Sequence, residues 1–280
     1  MQFLLVNPGF YIFGIHVAWY GVIMASSMAL AVILCMLLAK RRGLTGNDFI
    51  APALWALPFA IICARLMYVS FPPPDIGPYS FIEALQMWKG GMSIWGGVIG
   101  GALGLGIYCL IFKKDFLARA DVIVPTLILS QSIGRWGNFL NQEAYGWEVT
   151  NPSFFGLPFS VFIEAEGAWH MATFLYEATL NTLGFIALLI VLLKTKKRGL
   201  VGALYLIIYG TVRSIIEIFR TDPLMVFGVV KMSQLLSFIS IAIGIGLLIY
   251  IIVRDKKLKQ KGIDPYTYIP KIKNKTIKNK

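Results

Sequence analysis

Seven apolar stretches, separated by short polar segments, run along this 280-residue chain. They lie at roughly 15–39, 50–70, 93–112, 120–134, 172–193, 200–219 and 232–253. A helix that crosses the hydrocarbon core needs about 20 apolar residues, and in lipid the backbone must satisfy its own hydrogen bonds. The pattern therefore predicts an all-α, polytopic membrane protein with about seven transmembrane helices. The fourth stretch is the weakest, being short and interrupted by Pro125. Only one long connection is expected, residues 135–171, which would form a small extracytoplasmic loop region or head. Its aromatics include Trp147, Phe154 and Phe155, which suit a membrane interface. It is expected either to dock a protein partner or simply to anchor at that interface.

Charge then orients the spans. Twenty of the 26 Lys and Arg residues follow the first, third, fifth and seventh spans, all on one face of the membrane. By the positive-inside rule this face is cytoplasmic, with the N-terminus outside and Lys280 inside. Residues 1–253 would be the transmembrane catalytic domain, and 254–280 a basic cytoplasmic tail of ten cations against Asp255 and Asp264. Such a tail suits the anionic inner leaflet. Nucleic-acid binding is a poor reading because no recognition module accompanies the charge. Composition agrees with a membrane setting: 57% of residues are hydrophobic, 14% are charged, and the mean hydropathy is +0.71. Cys35, Cys63 and Cys109 all fall in apolar runs and read as packing residues rather than a disulfide framework. No removable signal peptide is expected, since MQFLLVNPGFYIFG lacks a basic start and a small-residue cleavage site.

The polar interruptions carry the chemistry. The run GRWGNFLNQEAYG, Gly134 to Gly146, concentrates Arg135, Asn138, Asn141 and Glu143 directly after an apolar span. Arginine offers a forked, permanently charged donor suited to phosphate, and the asparagines add neutral hydrogen bonds. In the sixth span Tyr209, Arg213 and Glu217 are spaced four apart and share one helix face, which Arg220 extends. A polar stripe on such a helix must face the bundle interior or a wet cavity. It could grip a substrate, or Arg213 and Glu217 could only lock helices together. Arg213 lies roughly 20 Å from the cytoplasmic end of its span, and Arg65 is similarly deep in the second. With Arg135 they would make an anion site in the outer leaflet, whereas Arg220 could simply snorkel to the interface. In the third span Gly96, Gly100 and Gly104 repeat every four residues, a spacing that permits close helix packing. Gly90 and Gly91, just before it, could line the headgroup site.

The Gly134–Gly146 run closely resembles the motif of the bacterial phosphatidylglycerol–prolipoprotein diacylglyceryl transferases. The resemblance extends to AWYG (Ala18–Gly21), GGMSIWGG (Gly90–Gly97), LYE (Leu175–Glu177) and YGTVRSIIEIFR (Tyr209–Arg220), in the family's order and over most of the chain. It implies an enzyme of the bacterial cytoplasmic membrane. Such an enzyme transfers the diacylglyceryl group of phosphatidylglycerol to the lipobox cysteine of a prolipoprotein, forming a thioether and releasing glycerol phosphate. No metal or organic cofactor is implied. Arg135 and Arg213 are the expected catalytic cations, with Tyr20 or Glu143 as proton acceptor, a choice the residues leave open. Phosphatidylglycerol would contact Arg135, Asn138, Asn141, Gly146, Tyr209, Glu217, Arg220, Arg65 and Gly96. Many family members carry a histidine where this chain has Trp95, so no imidazole role is carried over to that position. The only histidines here are His16 and His170. A transporter of a lipid or small anion would also bury arginines, but no inverted repeat links the two halves. A non-catalytic scaffold leaves the cost of those arginines unexplained.

Overall fold

Seven helices long and apolar enough to cross a membrane stand among the described residues of the computed structural model, which are 9–71, 79–86, 91–221, 225–226 and 229–265. The segments 1–8, 72–78, 87–90, 222–224, 227–228 and 266–280, including Lys89, Gly90 and most of the basic tail, lie outside that set. The spanning helices are α1 (Trp19–Leu38), α2 (Ile50–Ser70), α4 (Ile94–Ile111), α5 (Phe116–Leu140), α6 (Thr173–Lys194), α7 (Leu200–Phe219) and α8 (Met232–Gln260), with a one-turn helix α3 (Phe81–Leu85) between α2 and α4. At 1.5 Å per residue the 21-residue α2 is about 31 Å long, close to the thickness of the hydrocarbon core. The chain is a multi-pass membrane protein, mostly helical.

Three spans depart from their expected limits, the seventh by continuing past 253 to Gln260. The first begins at Trp19, because residues before it pair as a hairpin, β1 (Gly9–Ile12) with β2 (Ile15–Ala18), which places His16 opposite Tyr11. Phe13 and Gly14, with φ of 50° and 80°, make the two-residue turn of positive φ that matches the twist of paired strands. The fourth span is longer than 120–134: α5 runs from Phe116 to Leu140 and includes Pro125. Membrane helices tolerate such a proline because neighbouring segments help satisfy the freed backbone. Arg135 and Asn138 therefore sit on a helix, not in the connection after it.

α5 is the hub. It packs on α1, α6 and α7, while α2 pairs with α4 and α7 with α8. The α2–α4 contact depends on the glycine ladder. A Cβ on Gly96 would lie 2.4 Å from the Cys63 carbonyl oxygen, and one on Gly100 would lie 2.3 Å from that of Phe59. Gly96, expected in the substrate site, also packs α4 closely on α2. At the basic end, the buried pair Arg42 Nε–Asp121 Oδ2 (3.0 Å) ties four elements together. Asp121 also accepts from the N–H groups of Gly199 and Gly202 at the start of α7, and Arg42 Nη1 donates to the Thr195 carbonyl just beyond α6. Cys35, Cys63 and Cys109 are free.

At the opposite end, residues between α5 and α6 fold as a small head built on a hairpin, β3 (Ser160–Ile163) with β4 (Ala168–Met171). A two-residue pair, β5 (Met225–Val226) with β6 (Val230–Lys231), lies between α7 and α8. Gly146 fastens the head to the bundle. Its N–H donates to the Met171 carbonyl, and it bridges Arg220 at the end of α7. A Cβ at Gly146 would come within 2.8 Å of Thr173 and 3.1 Å of the Phe219 carbonyl oxygen, so only glycine fits there without a shift.

Candidate active site

The last two turns of α5 deliver Arg135 into the bundle. Two glycines make this possible. A Cβ on Gly137 would stand 2.5 Å from the Tyr20 ring, and one on Gly134 would stand 3.1 Å from Met24 Sδ, so α1 packs closely against this part of α5. Arg135 is 3% exposed. Its Nη2 donates to Glu177 Oε1 on α6 (2.6 Å), and its Nη1 donates to Asn138 Oδ1 (3.1 Å).

Arg213 reaches the same carboxylate from α7. Its Nη1 donates to Glu177 Oε2 (3.1 Å), while Nη2 donates to Glu217 Oε2 one turn along (2.6 Å) and to Ser233 Oγ on α8 (3.2 Å). Arg135, Glu177, Arg213 and Glu217 are all at least nine-tenths buried. Ionised, the four sum to no net charge, which limits the cost of burying each one. A guanidinium carries five N–H donors. The bonds just described take two from Arg135 and three from Arg213, which leaves donors for a further anion.

The remaining expected residues surround this quartet. Asn138 Nδ2 donates to Glu143 Oε1 (2.8 Å), and Asn141 Nδ2 lies 3.3 Å from the same oxygen. Glu143 is exposed, held between Gln142 and Ala144, whose φ values of 50° and 59° are left-handed. Tyr20 lies within electrostatic reach of both Glu143 and Arg135. Tyr209 stacks on Tyr205 at 5.7 Å and meets the Trp95 ring at 5.5 Å. The Tyr209 hydroxyl, Trp95 Nε1, Glu217 Oε1 and both amide atoms of Asn181 are buried with no hydrogen-bond partner among the described residues. Each such group costs about 1–3 kcal/mol when left unmet. Arg220 lies within electrostatic reach of Glu177. Among the described residues, no three His, Cys, Asp or Glu side chains gather where they could hold a metal ion.

Arg65 does not join the quartet as expected. Its Nε, Nη1 and Nη2 donate to the carbonyls of Ala84, Gly91 and Glu83, and its guanidinium lies over the Tyr68 and Tyr79 rings. It therefore clasps the α2–α4 connection. His170, on β4 of the head, is buried. Its Nδ1 is 2.9 Å from the Gly146 carbonyl oxygen and its Nε2 is 3.1 Å from Glu166 Oε2. Glu177 is the functional candidate that the residue-by-residue reading missed. A lone glutamate near the start of an apolar span was the available signal.

Seven spanning helices, four of which (α5, α6, α7 and α8) meet at a buried Arg–Glu–Arg–Glu cluster, define a polytopic membrane protein. Residues 8–250 match the family model described as prolipoprotein diacylglyceryl transferase, and the chain belongs to that family. It is similar to a phosphatidylglycerol–prolipoprotein diacylglyceryl transferase of Listeria innocua, with 42% identity over 240 residues covering 84% of this chain and 86% of the relative. A Clostridium perfringens protein, phosphatidylglycerol–prolipoprotein diacylglyceryl transferase 1, is 41% identical over 92% of this chain and 99% of its own length. A Streptococcus sanguinis relative with the same transferase name is 40% identical over 84% of this chain and 92% of its own. Family membership makes the chain a transferase of lipoprotein biosynthesis rather than a transporter.

Proposed function

We propose that the chain transfers the diacylglyceryl group of phosphatidylglycerol to the thiol of a prolipoprotein's lipobox cysteine, at the Arg135–Glu177–Arg213 cluster. The observation that carries this reading is one buried carboxylate bonded to two guanidiniums from different helices. In the reaction the cysteine sulfur attacks the diacylglyceryl carbon that bears the phosphodiester oxygen. A C–S bond forms, the C–O bond breaks, and glycerol phosphate leaves with the bonding pair. The thiol proton passes to a base. Charge gathers on the departing phosphate, where fixed guanidinium donors stabilise it without reorganising. Glu177 and Glu217 hold those donors in place, and Asn138 links Arg135 to Glu143.

The nucleophile comes from the substrate. Lowering a cysteine pKa from about 8.5 to about 7 requires roughly 2 kcal/mol, within the reach of a nearby guanidinium in a water-poor site. Glu143, exposed at the end of α5, and Tyr20, packed on Gly137, are the two candidate proton acceptors. Tyr209, Asn141, Gly146 and Arg220 would complete the headgroup pocket and its lid-like attachment to the head. Family membership supports a bacterial cytoplasmic membrane, and the charge bias along the sequence supports the cluster in the outer leaflet, the N-terminus outside and the tail inside. In this reading residues 1–253 are the catalytic unit, with a head over 135–171, and 254–280 the basic tail, although α8 continues two turns past Val253.

The test uses purified full-length protein in phosphatidylglycerol vesicles with a lipobox peptide. The expected products are a thioether-linked diacylglyceryl peptide and an equimolar amount of glycerol phosphate. A peptide that stays unmodified, in a preparation that is folded and inserted, refutes the assignment.

A further inference from the structure

A second polar site lies at the other end of the bundle, about 30 Å along α5 from Arg135. There the start of α5, the turn before α7 and the last turns of α8 enclose a cavity of about 340 Å³. Its walls carry Arg198, Arg254, Lys257 and Lys261 with one carboxylate, Asp115. Asp115 is already committed: Oδ1 caps α5 by accepting from the Ala118 N–H (3.0 Å), and Oδ2 takes Arg198 Nη1 (2.6 Å). Arg254 is positioned by Asp255 Oδ1 (2.8 Å) and by the Arg198 carbonyl (3.2 Å). Lys257 and Lys261 make no ion pair among the described residues. Four cations against the carboxylates of Asp115 and Asp255 leave an excess of two positive charges around the cavity.

The same cavity has an apolar side. Tyr250, Arg254, Lys257 and Lys261 share one face of α8, and Tyr250 and Val253, which also line it, are exposed on the bundle surface. The 29-residue α8 is about 43 Å long, some 13 Å more than the hydrocarbon core. Its last turns therefore stand in the headgroup layer. Cations at that depth, flanked by apolar groups on the hydrocarbon side, match a phospholipid's phosphate and upper chains. A free phosphate would leave Tyr250 and Val253 without a role.

We propose that this cavity binds the phosphate headgroup of an anionic phospholipid from the leaflet at the basic end, separate from the Arg135–Arg213 site. The probe is phosphatidic acid, which lacks the headgroup glycerol. It is titrated into full-length protein in neutral detergent, with bound lipids counted by native mass spectrometry and phosphatidylcholine as control. In K257Q/K261Q the affinity for one bound phosphatidic acid should fall about tenfold or more, whereas phosphatidylcholine binding stays unchanged. K257R/K261R should bind like the wild type, because both charges remain. Both lysines are exposed, so the variants should melt with the wild type, and this serves as the check on folding. Equal phosphatidic acid affinity in wild type and K257Q/K261Q overturns the site. Displacement of the lipid by millimolar inorganic phosphate overturns the lipid assignment in favour of a soluble anion.

Discussion

Arg135 and Arg213 divide one carboxylate between them: Arg135 Nη2 lies 2.6 Å from Glu177 Oε1, and Arg213 Nη1 lies 3.1 Å from Glu177 Oε2. The two arginines come from α5 and α7, and Glu177 from α6, so a single side chain fixes the relative position of three helices. It also keeps two like charges together inside an apolar bundle, an arrangement that would repel itself without the shared anion. The geometry that could receive a phosphate thus exists before any phosphate arrives.

Glu177→Gln should expose that dependence. The amide keeps the shape but leaves two buried guanidiniums short of a counter-charge, and breaking a buried pair in this way costs about 3–5 kcal/mol. We expect a clearly lower melting temperature and a loss of diacylglyceryl transfer of at least about 100-fold. Thermal unfolding in detergent and the vesicle assay measure the two effects separately. A variant that melts and turns over like the wild type would mean that the arginines do not need Glu177.

Lysine substitutions separate charge from geometry. Arg135 bonds Asn138 and Glu177 at once, and Arg213 bonds Glu177, Glu217 and Ser233. A lysine ammonium is a point charge and cannot reproduce a planar fork. Arg135→Lys and Arg213→Lys should each lower turnover by about 10²–10³-fold, the usual cost of removing an oxyanion donor. Arg220→Lys should be milder, because its bridge to Gly146 is made by backbone and survives the change. Near-normal turnover by folded Arg135→Lys would remove the phosphate-clamp role.

Orientation can be checked without chemistry. A reporter active only in the cytoplasm should work when fused after Lys280 and fail when fused after Gly146. The reverse result would place the Arg135–Arg213 cluster in the inner leaflet and the proposed phospholipid cavity in the outer one.

The spans were legible because length and apolarity together are a strong signal, and the lipid leaves few other structures for such segments. The end of α5 was not legible. Arg135 and Asn138 look like loop residues by composition, yet both are helical, and the partner of Arg135, Glu177, lies outside the local sequence. Arg65 misled for the opposite reason. Its depth pointed to an anion, but its partners are three backbone carbonyls, which leave no trace in side-chain identity. Gly96 belonged to a ladder that read as packing, and it lies directly against Cys63 and Ala64 of α2. Glu177 interrupts the apolar run of α6, and its pairing with Arg135 on α5 and Arg213 on α7 appears only once the helices are assembled.

The base remains to be separated from its neighbours, and His170 gives the sharpest contrast. It is buried, with Nδ1 at 2.9 Å from the Gly146 carbonyl oxygen and the Tyr145 ring 4.7 Å away, so it pins the head rather than facing the cluster. His170→Ala should lower the melting temperature while retaining a sizeable fraction of turnover and an unchanged pH–rate profile. Loss of a general base costs about 10²–10⁴-fold, more than a loosened head should. Glu143→Gln removes the proton acceptor but keeps an oxygen for Asn138 Nδ2, and Tyr20→Phe removes a hydroxyl while preserving the ring that packs on Gly137. If either group is the base, one of these two substitutions should produce the large loss and abolish the ascending limb of the profile, where activity rises as the base loses its proton. A loss of that size in folded, inserted His170→Ala, with Glu143→Gln and Tyr20→Phe near normal, would instead assign the proton to the imidazole.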